Sequence, residues 1–164
     1  MIRVNQAGEY GAAQIYKGQL AVMGDDGPDS SAIHHMAEQE QRHLDAFDRM
    51  IVERNVRPTL LQPFWQVAGY ALGAGTAMMG PRAAMACTAA VETEIDLHYQ
   101  GQLEQLASED EPVLLSKIAE FREEELQHKQ TAIDSGAEDV PGYPVLSAVI
   151  RLGCKLAIGL SKRI

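Results

Sequence analysis

The sequence has few aromatic residues, only two cysteines and no arginine-rich tract. Aromatic residues make up 5% of the 164 positions and hydrophobic residues 46%, a balance that favours helices over β-structure. Cys87 and Cys154 form no Cys-x-x-Cys pair, which argues against a disulfide framework or a zinc or iron–sulfur knuckle and indicates two buried thiols. The net charge of −9 argues against a general nucleic-acid-binding face. We therefore expect one all-α domain over residues 1–164.

Two segments lack charge of one or both signs. Residues 58–81 carry no charged side chain over 24 positions, which is long enough for a membrane span, but Pro63 and four glycines lower the hydrophobicity. We expect first a helix that is buried in the domain or dips into one membrane leaflet, second a core-only helix, and last a true span. The spacing of Gly69 and Gly73 also permits close helix packing.

The second such segment, residues 144–164, contains four basic residues and no acid. A helix here either caps the bundle core or lies on an anionic membrane surface, and the residues leave both interpretations open. We treat 58–81 and 144–164 as candidate membrane-contact helices. One side of the second helix would carry Val145, Val149, Leu152, Leu156 and Leu160.

Glycine, proline and serine residues divide the remainder of the chain into four long helices. The first runs from about residue 4 to 23, and the second from Ser30 or Ser31 to about Glu53. The third begins at Pro81 and the fourth follows Pro112. Each of these four predicted helices carries part of a repeated motif.

That motif is Glu-x-x-His, which occurs at Glu40–His43 and again at Glu125–His128. Glu9 precedes the first copy by 31 positions and Glu92 precedes the second by 33, and this matched spacing indicates a repeat. Positions i and i+3 lie on one helix face, so a carboxylate and an imidazole placed there can reach one ion. The pattern matches di-iron and di-manganese bundles, in which two helices give one Glu each and two give Glu-x-x-His.

The candidate ligands supply oxygen and nitrogen donors without a thiolate, which suits iron or manganese better than Cu(I) or structural zinc. Glu124 stands four positions before His128 and competes with Glu125, but the repeated spacing favours Glu125. His34 and His35, near a helix start, are expected to be surface or capping groups. The same ligands would serve a monooxygenase, an iron oxidase or a peroxidase, so they leave the reaction open.

Eight short and specific segments extend the comparison over nearly the whole chain. They are Met1–Ala12, Gln39–His43, Arg57–Thr59, Ala71–Thr76, Ala84–Thr88, Val91–Glu92, His98–Tyr99 and Phe121–His128. Together they resemble the demethoxyubiquinone hydroxylase family of ubiquinone biosynthesis, and no candidate ligand departs from the pattern.

The resemblance implies a ferritin-like di-iron bundle at a membrane surface, on the cytoplasmic face of a bacterial plasma membrane or the matrix face of the mitochondrial inner membrane. It implies hydroxylation of the ring of a polyprenylated demethoxyubiquinol, a step of the type 5-demethoxyubiquinol to 5-demethylubiquinol, with dioxygen and electrons ultimately from NADH. Glu40 and Glu92 would bridge the irons, and His98 and Tyr99 match a family pair associated with the quinone and its reduction. The implied iron ligands are Glu9, Glu40, His43, Glu92, Glu125 and His128.

Two other interpretations stay open on the sequence. One is a ferritin-like di-iron peroxidase or iron oxidase, which needs neither an apolar tunnel nor a membrane face. The other is a metal-free, lipid-binding helical module of a ubiquinone-synthesis complex. The family resemblance also makes room for a partner protein that presents the lipid, and the sequence leaves a homo-oligomer open.

Overall fold

Proline and glycine set most of the helix ends. The computed structural model describes residues 1–164 and contains six α-helices, one short 3₁₀ turn and no strand, which confirms the all-α prediction. Pro28, Pro81 and Pro112 each occupy the first helical position, where a missing N–H costs nothing. The helices are α1 Ile2–Met23, α2 Pro28–Glu53, α3 Gln62–Met78, α4 Pro81–Leu106, α5 Pro112–Asp134 and α6 Tyr143–Ser161, with the 3₁₀ turn at Ala137–Asp139.

The start of α2 differs from the prediction. Gly27 is the N-cap residue, and neither Ser30 nor Ser31 caps the helix. Gly27 has a φ of 125°, a backbone conformation that favours glycine. Glycine followed by proline therefore begins this helix three to four residues earlier than a serine N-cap would.

Four helices, α1, α2, α4 and α5, form a bundle with an apolar cluster near each end. One cluster is centred on Phe47, Ile118 and Phe121. The other is centred on Ile33 and Met85. Along each helix the predicted metal ligands lie between these clusters, so apolar packing encloses the polar centre from both ends.

The other two helices, α3 and α6, form an outer layer on α1 and α4. Gly73 allows α3 to lie directly on α1, because a Cβ added there would collide with the carbonyl oxygen of Ile15. At Gly69 an added Cβ would lie 2.8 Å from the carbonyl oxygen of Gly11. The predicted close helix packing through these two glycines is therefore confirmed.

Polar contacts fix α6 in the outer layer. Arg151 donates from Nε to Oε1 of the buried Glu94 on α4 at 2.5 Å, and Lys155 Nζ lies 3.7 Å from the same oxygen. Trp65 of α3 donates from Nε1 to Ser161 Oγ at 3.1 Å. Two of the four basic residues in this segment thus face α4 instead of standing free on the surface.

The apolar stripe of α6 faces away from the core. Ile150 of α6 is buried in an apolar cluster with Ile15 and Val91, so α6 covers part of the core, but through a different face from the predicted stripe. In α3 only Gly69, Gly73, Thr76 and Ala77 are buried, so a core-only helix is wrong for 58–81. By length and composition α6 is the one helix apolar enough to cross a membrane. The exposed stripe consists of Val145, Val149, Leu152, Leu156 and Leu160.

Candidate metal centre

The bundle brings the six predicted ligands together at its centre. None of these six residues is more than 1% exposed. Their donor atoms form two groups, each with all atoms within 4.8 Å of one another. The first group is Glu9, Glu40, His43 and Glu125, and the second is Glu40, Glu92, Glu125 and His128.

Glu40 and Glu125 belong to both groups, so these two carboxylates are placed to bridge two ions. Glu92 belongs to one group only, which contradicts its predicted role as a bridge. Glu40 of α2 and Glu125 of α5, the glutamates of the two Glu-x-x-His motifs, lie next to each other between the two groups. Glu9 and Glu92, the terminal glutamates, each belong to one group only.

Both histidines turn the Nδ1 atom toward the carboxylates. His43 Nδ1 lies 3.1 Å from Glu125 Oε1 and 3.5 Å from Glu9 Oε2. His128 Nδ1 lies 3.0 Å from Glu125 Oε2 and 3.3 Å from Glu40 Oε1. Each imidazole therefore offers one ring nitrogen to the centre and keeps Nε2 for a hydrogen bond outside it.

The buried ligands are poorly satisfied by the chain itself. Burial and the neighbouring carboxylates raise the pKa of Glu40 and of Glu92 well above the ordinary value, and burial also raises that of Glu125. Burial raises the pKa of Glu9, but contact with His43 lowers it overall. Several buried atoms have no hydrogen-bond partner: Glu9 Oε2, both carboxylate oxygens of Glu40, His43 Nδ1, Glu92 Oε2 and Glu125 Oε1.

The pKa of His43 shows the same need for positive charge. Burial lowers this pKa, but the nearby carboxylates of Glu125 and Glu9 outweigh burial and raise it to about 11. Divalent cations would supply the charge that this proton supplies and would satisfy the free oxygen atoms. The donor set and its unpaired atoms therefore fit a pair of hard or borderline cations such as Fe²⁺ or Mn²⁺.

Two tyrosines cross between α1 and α4 to hold the terminal glutamates. Tyr16 of α1 donates its hydroxyl to Glu92 Oε1 at 2.7 Å, and Tyr99 of α4 donates its hydroxyl to Glu9 Oε1. Burial and the nearby carboxylates raise the pKa of both phenols well above the ordinary value. Both tyrosines therefore stay protonated and act as hydrogen-bond donors.

The residue before each Glu-x-x-His motif contacts the histidine of the other motif. His43 donates from Nε2 to Glu124 Oε2 at 2.7 Å, and His128 donates from Nε2 to Gln39 Oε1 at 3.1 Å. Partial burial raises the pKa of Glu124, but the contact with His43 lowers it overall. Glu124 thus contacts a candidate ligand from outside the two donor groups, and it is Glu125 that belongs to them.

His98 points into a separate polar network. Gln102 donates from Nε2 to Asn5 Oδ1 at 2.7 Å and to His98 Nε2 at 2.9 Å, and Asn5 Nδ2 donates back to Gln102 Oε1 at 2.9 Å. Burial, Lys162 and the chain's amino terminus lower the pKa of His98 to about 4. His98 is therefore a neutral imidazole at neutral pH, and of the predicted pair only Tyr99 hydrogen-bonds a candidate ligand.

An apolar cavity of about 320 Å³ lies between the bundle and the outer layer. Residues of α1, α3, α4 and α6 line it, and they include Gly8 and Val91, the neighbours of Glu9 and Glu92 in the sequence. Its volume is at the lower end of the range for small-molecule pockets, which are mostly apolar. The cavity therefore offers an apolar ligand a place beside the two helices that carry the terminal glutamates.

Sequence reasoning missed several residues of this region. Tyr16 follows Glu9 by seven positions, as Tyr99 follows Glu92, so the repeat itself carried the signal. Gln39 could have been found from its place directly before a motif. Asn5 and Gln102 had no such signal. His34 bonds the exposed Asp25 at 3.0 Å, which agrees with the predicted surface role.

Comparison with known proteins gives a consistent set of matches. The family model described as ubiquinone biosynthesis protein COQ7 matches residues 1–161. A Rhodospirillum rubrum protein named 3-demethoxyubiquinol 3-hydroxylase is 50% identical over 163 residues, covering 99% of this chain and 76% of that protein. The human protein named NADPH-dependent 3-demethoxyubiquinone 3-hydroxylase, mitochondrial, is 48% identical over 169 residues, covering 100% and 76%. The Saccharomyces cerevisiae protein named 5-demethoxyubiquinone hydroxylase, mitochondrial, is 41% identical over 179 residues, covering 100% and 77%.

Proposed function

Because the chain belongs to the family of ubiquinone biosynthesis protein COQ7, we propose that it uses a pair of iron ions and dioxygen to hydroxylate the ring of a polyprenylated demethoxyubiquinol. The observation that carries the metal assignment is the buried group of four glutamates and two histidines with unpaired donor atoms. Buried polar atoms without partners cost free energy, and a protein core rarely retains so many of them unless a cation offsets that cost. The substrate assignment rests on the family and on the names of its members.

The ligands would divide as the two groups of donor atoms divide. Glu40 and Glu125 would bridge the ions, and the other ligands would each bind one ion. Bound iron would supply the electron transfer to dioxygen that a hydroxylation needs. His43 and His128 would bind through Nδ1, since Nε2 of each already donates to an outer partner. The terminal ligands would be Glu9 and Glu92.

Two residues outside the ligand set complete the proposed site, Tyr99 and His98. Tyr99 keeps a proton on its hydroxyl oxygen and holds Glu9 in one orientation by donating to Oε1. His98 is neutral because its pKa is about 4, so it can accept or donate a hydrogen bond to a quinol hydroxyl without adding charge. We assign both to the quinol side of the reaction.

The apolar cavity supports a lipid substrate. Its walls are mostly apolar, and two of the lining residues, Gly8 and Val91, directly precede Glu9 and Glu92 in the sequence. A quinol with a polyprenyl tail suits such a space better than hydrogen peroxide or a hydrated iron ion does, since neither of those needs an apolar wall. The cavity thus favours the quinol over the substrates of a peroxidase or iron oxidase.

The outward apolar faces of α3 and α6 support peripheral membrane attachment. Phe64 and Val67 of α3 and Leu152 and Leu156 of α6 are each at least 59% exposed. A bilayer would cover such faces and would also hold the polyprenyl tail of the substrate. We therefore place the protein on the cytoplasmic face of a bacterial membrane or the matrix face of the mitochondrial inner membrane; the human and yeast relatives are named mitochondrial.

A reduced nicotinamide cofactor is the proposed electron source. The human relative is named NADPH-dependent, whereas the family resemblance implies NADH. Assays with each cofactor would decide between them. A protein that presents the lipid and a homo-oligomer stay compatible with the proposal.

Anaerobic iron loading tests the function. We expect the wild-type chain to bind two Fe²⁺ and, after addition of dioxygen and a short-tailed demethoxyubiquinol, to yield a product with one added oxygen by mass spectrometry. Glu125→Ala removes a bridging carboxylate and should lose both the iron pair and the product. Glu123→Ala is the matched control, because Glu123 lies on the exposed face of the same helix.

Two outcomes would contradict the proposal. A wild-type chain that binds no iron pair would exclude the di-iron assignment. A chain that binds two irons, never hydroxylates the quinol and instead consumes peroxide or oxidises added Fe²⁺ would be a ferritin-like peroxidase or oxidase.

A further inference from the structure

The candidate metal centre has an approximate twofold symmetry that fails in its outer hydrogen bonds. The two Glu-x-x-His motifs and the two crossed tyrosines repeat the same arrangement. The outer partners of the histidines occupy equivalent positions, each directly before a motif glutamate, but their chemistry differs. His43 donates to a carboxylate oxygen of Glu124, and His128 donates to an amide oxygen of Gln39.

This difference matters because of what each partner does to the imidazole. A carboxylate that accepts the outer N–H draws the proton toward itself and makes the other ring nitrogen a stronger donor to a metal ion. A neutral amide oxygen orients the ring but withdraws less of the proton. The hydrogen bond to the carboxylate is also shorter, 2.7 Å against 3.1 Å, as charge-assisted bonds are.

We propose that Glu124 and Gln39 are positioning residues that make the two metal positions unequal, so that the position beside His43 binds iron more tightly than the position beside His128. The inference rests on the proposed di-iron function and adds to it the order in which the two iron ions bind. The more basic His43 donor also favours ferric iron at its position. The chain therefore distinguishes two ions whose direct ligands are the same in kind.

Exchange of the two outer residues tests this inference. Apoprotein is titrated anaerobically with ⁵⁷Fe²⁺, and Mössbauer spectra and binding constants are recorded at one and two equivalents. In the wild-type chain the first equivalent of iron should give one quadrupole doublet, and a second doublet should appear only when the second equivalent is added. Glu124→Gln makes both partners amides and Gln39→Glu makes both carboxylates, so each single variant should narrow the ratio of the two affinities by about tenfold.

The double variant Glu124→Gln with Gln39→Glu gives the sharpest result. It places an amide beside His43 and a carboxylate beside His128. The two iron ions should therefore bind one after the other again, now with the first ion beside His128. If the two residues served only to keep the fold, the double variant would instead be worse than either single variant. The exchanged side chains are nearly equal in size, and thermal unfolding of each apoprotein checks that all variants fold.

Glu123→Gln and Gln41→Glu are the matched controls, because they make the same charge changes at exposed positions of the same helices. Both control variants should bind the two iron ions in the same order, and with the same ratio of affinities, as the wild-type chain. The inference is overturned if the single variants keep the affinity ratio of the controls, or if the double variant binds both iron ions with equal affinity. A wild-type chain that binds no iron pair refutes the proposed function as well, whereas two ions that bind with equal affinity refute only the inequality.

Discussion

The centre of the bundle and the outer layer of α3 and α6 place polar and apolar groups in opposite ways. At the centre, carboxylates such as Glu40 and Glu125 are fully buried. In the outer layer, aliphatic side chains such as Leu152 and Leu156 are 59% exposed. Each arrangement is unfavourable for an isolated soluble chain, since buried charge and exposed apolar area both cost free energy.

Under the proposed function, the two regions would meet different needs of one reaction. A cation would neutralise the centre, and an apolar surface such as a bilayer would cover the outer layer. The apolar cavity lies between the two regions and touches both, through Val91 of α4 and Val149 of α6. The substrate of the proposed reaction joins a reactive ring to a lipid tail, so it requires a protein with both regions side by side.

Metal loading should have the largest effect on stability, because bound cations remove the electrostatic cost of the buried carboxylates. Each ion that binds only the folded chain adds about 2.7 kcal/mol when its free concentration is a hundredfold above its Kd. We therefore expect anaerobic Fe²⁺ to raise the melting temperature of the wild-type chain markedly. Glu125→Ala should show little of this increase, and an equal increase in both proteins would contradict a centre held by Glu125.

The pH dependence of the apoprotein sharpens the same point. Glu40, Glu92 and His43 have a raised pKa in the folded chain, so they bind protons more tightly there than in the unfolded chain. Their contribution to stability is lost as pH rises, for His43 from its ordinary value of 6.5 toward about 11. Glu9, His128 and the amino terminus of Met1 have a lowered pKa and act in the opposite direction, but only up to about their ordinary values of 4.5, 6.5 and 8.0. Within the range from about pH 7 to 9 only the amino terminus opposes the loss, and the pKa shift of His43 spans the whole range.

Between about pH 7 and 9 the apoprotein should therefore become less stable as pH rises. Iron binding requires deprotonated ligands, so the increase in melting temperature on loading should grow over the same range. Thermal unfolding of apoprotein and loaded protein at several pH values measures both trends. An apoprotein that gains stability over this range would contradict the described protonation of the centre.

The contact between the two regions is tested by glycine substitutions in α3. Gly73→Ala places a methyl group against the carbonyl oxygen of Ile15 and should lower the free energy of unfolding by about 1–3 kcal/mol. Gly75→Ala meets no atom within 4 Å and should raise it by up to about 1 kcal/mol through helix propensity. Chemical denaturation compares the pair, and equal effects would contradict the close approach of α1 and α3.

The ion pair between the regions should have a smaller effect. Arg151→Ala leaves Glu94 buried with only Lys155 nearby, so we expect a loss of about 1 kcal/mol. Arg163→Ala removes an equal charge from an exposed position and serves as the control. If both variants unfold at the same denaturant concentration, Arg151 does not anchor α6.

The smallest change in stability is expected in the outer layer itself. Leu152→Ser with Leu156→Ser alters only exposed side chains, so the free energy of unfolding should stay within about 0.5 kcal/mol. Binding to anionic vesicles should fall by about tenfold, because less apolar area enters the bilayer. Val52→Ser with Val113→Ser changes exposed residues of α2 and α5 and should leave vesicle binding unchanged. Equal sedimentation of both double variants would refute membrane contact through α6.

Much of the metal centre could be predicted because its spacing lies within single helices. The i, i+3 relation of Glu40 and His43 puts both on one helix face whatever the helix packs against. Glu9 and Glu92 then join the two motifs if the helices of the first half of the chain pack against those of the second half. The start of α4 at Pro81 was likewise readable, since proline favours the first helical position.

The sequence by itself determined the all-α fold, the six candidate ligands and the two unusual segments, because these follow from local periodicity and composition. The tertiary structure decided which glutamates are shared, and it gave that place to Glu125 instead of Glu92. It also decided that Gln39 and Glu124 contact opposite histidines and that the α6 stripe faces outward. These features depend on how helices that are distant in the sequence pack against each other. The residue spacing within each helix does not specify that packing.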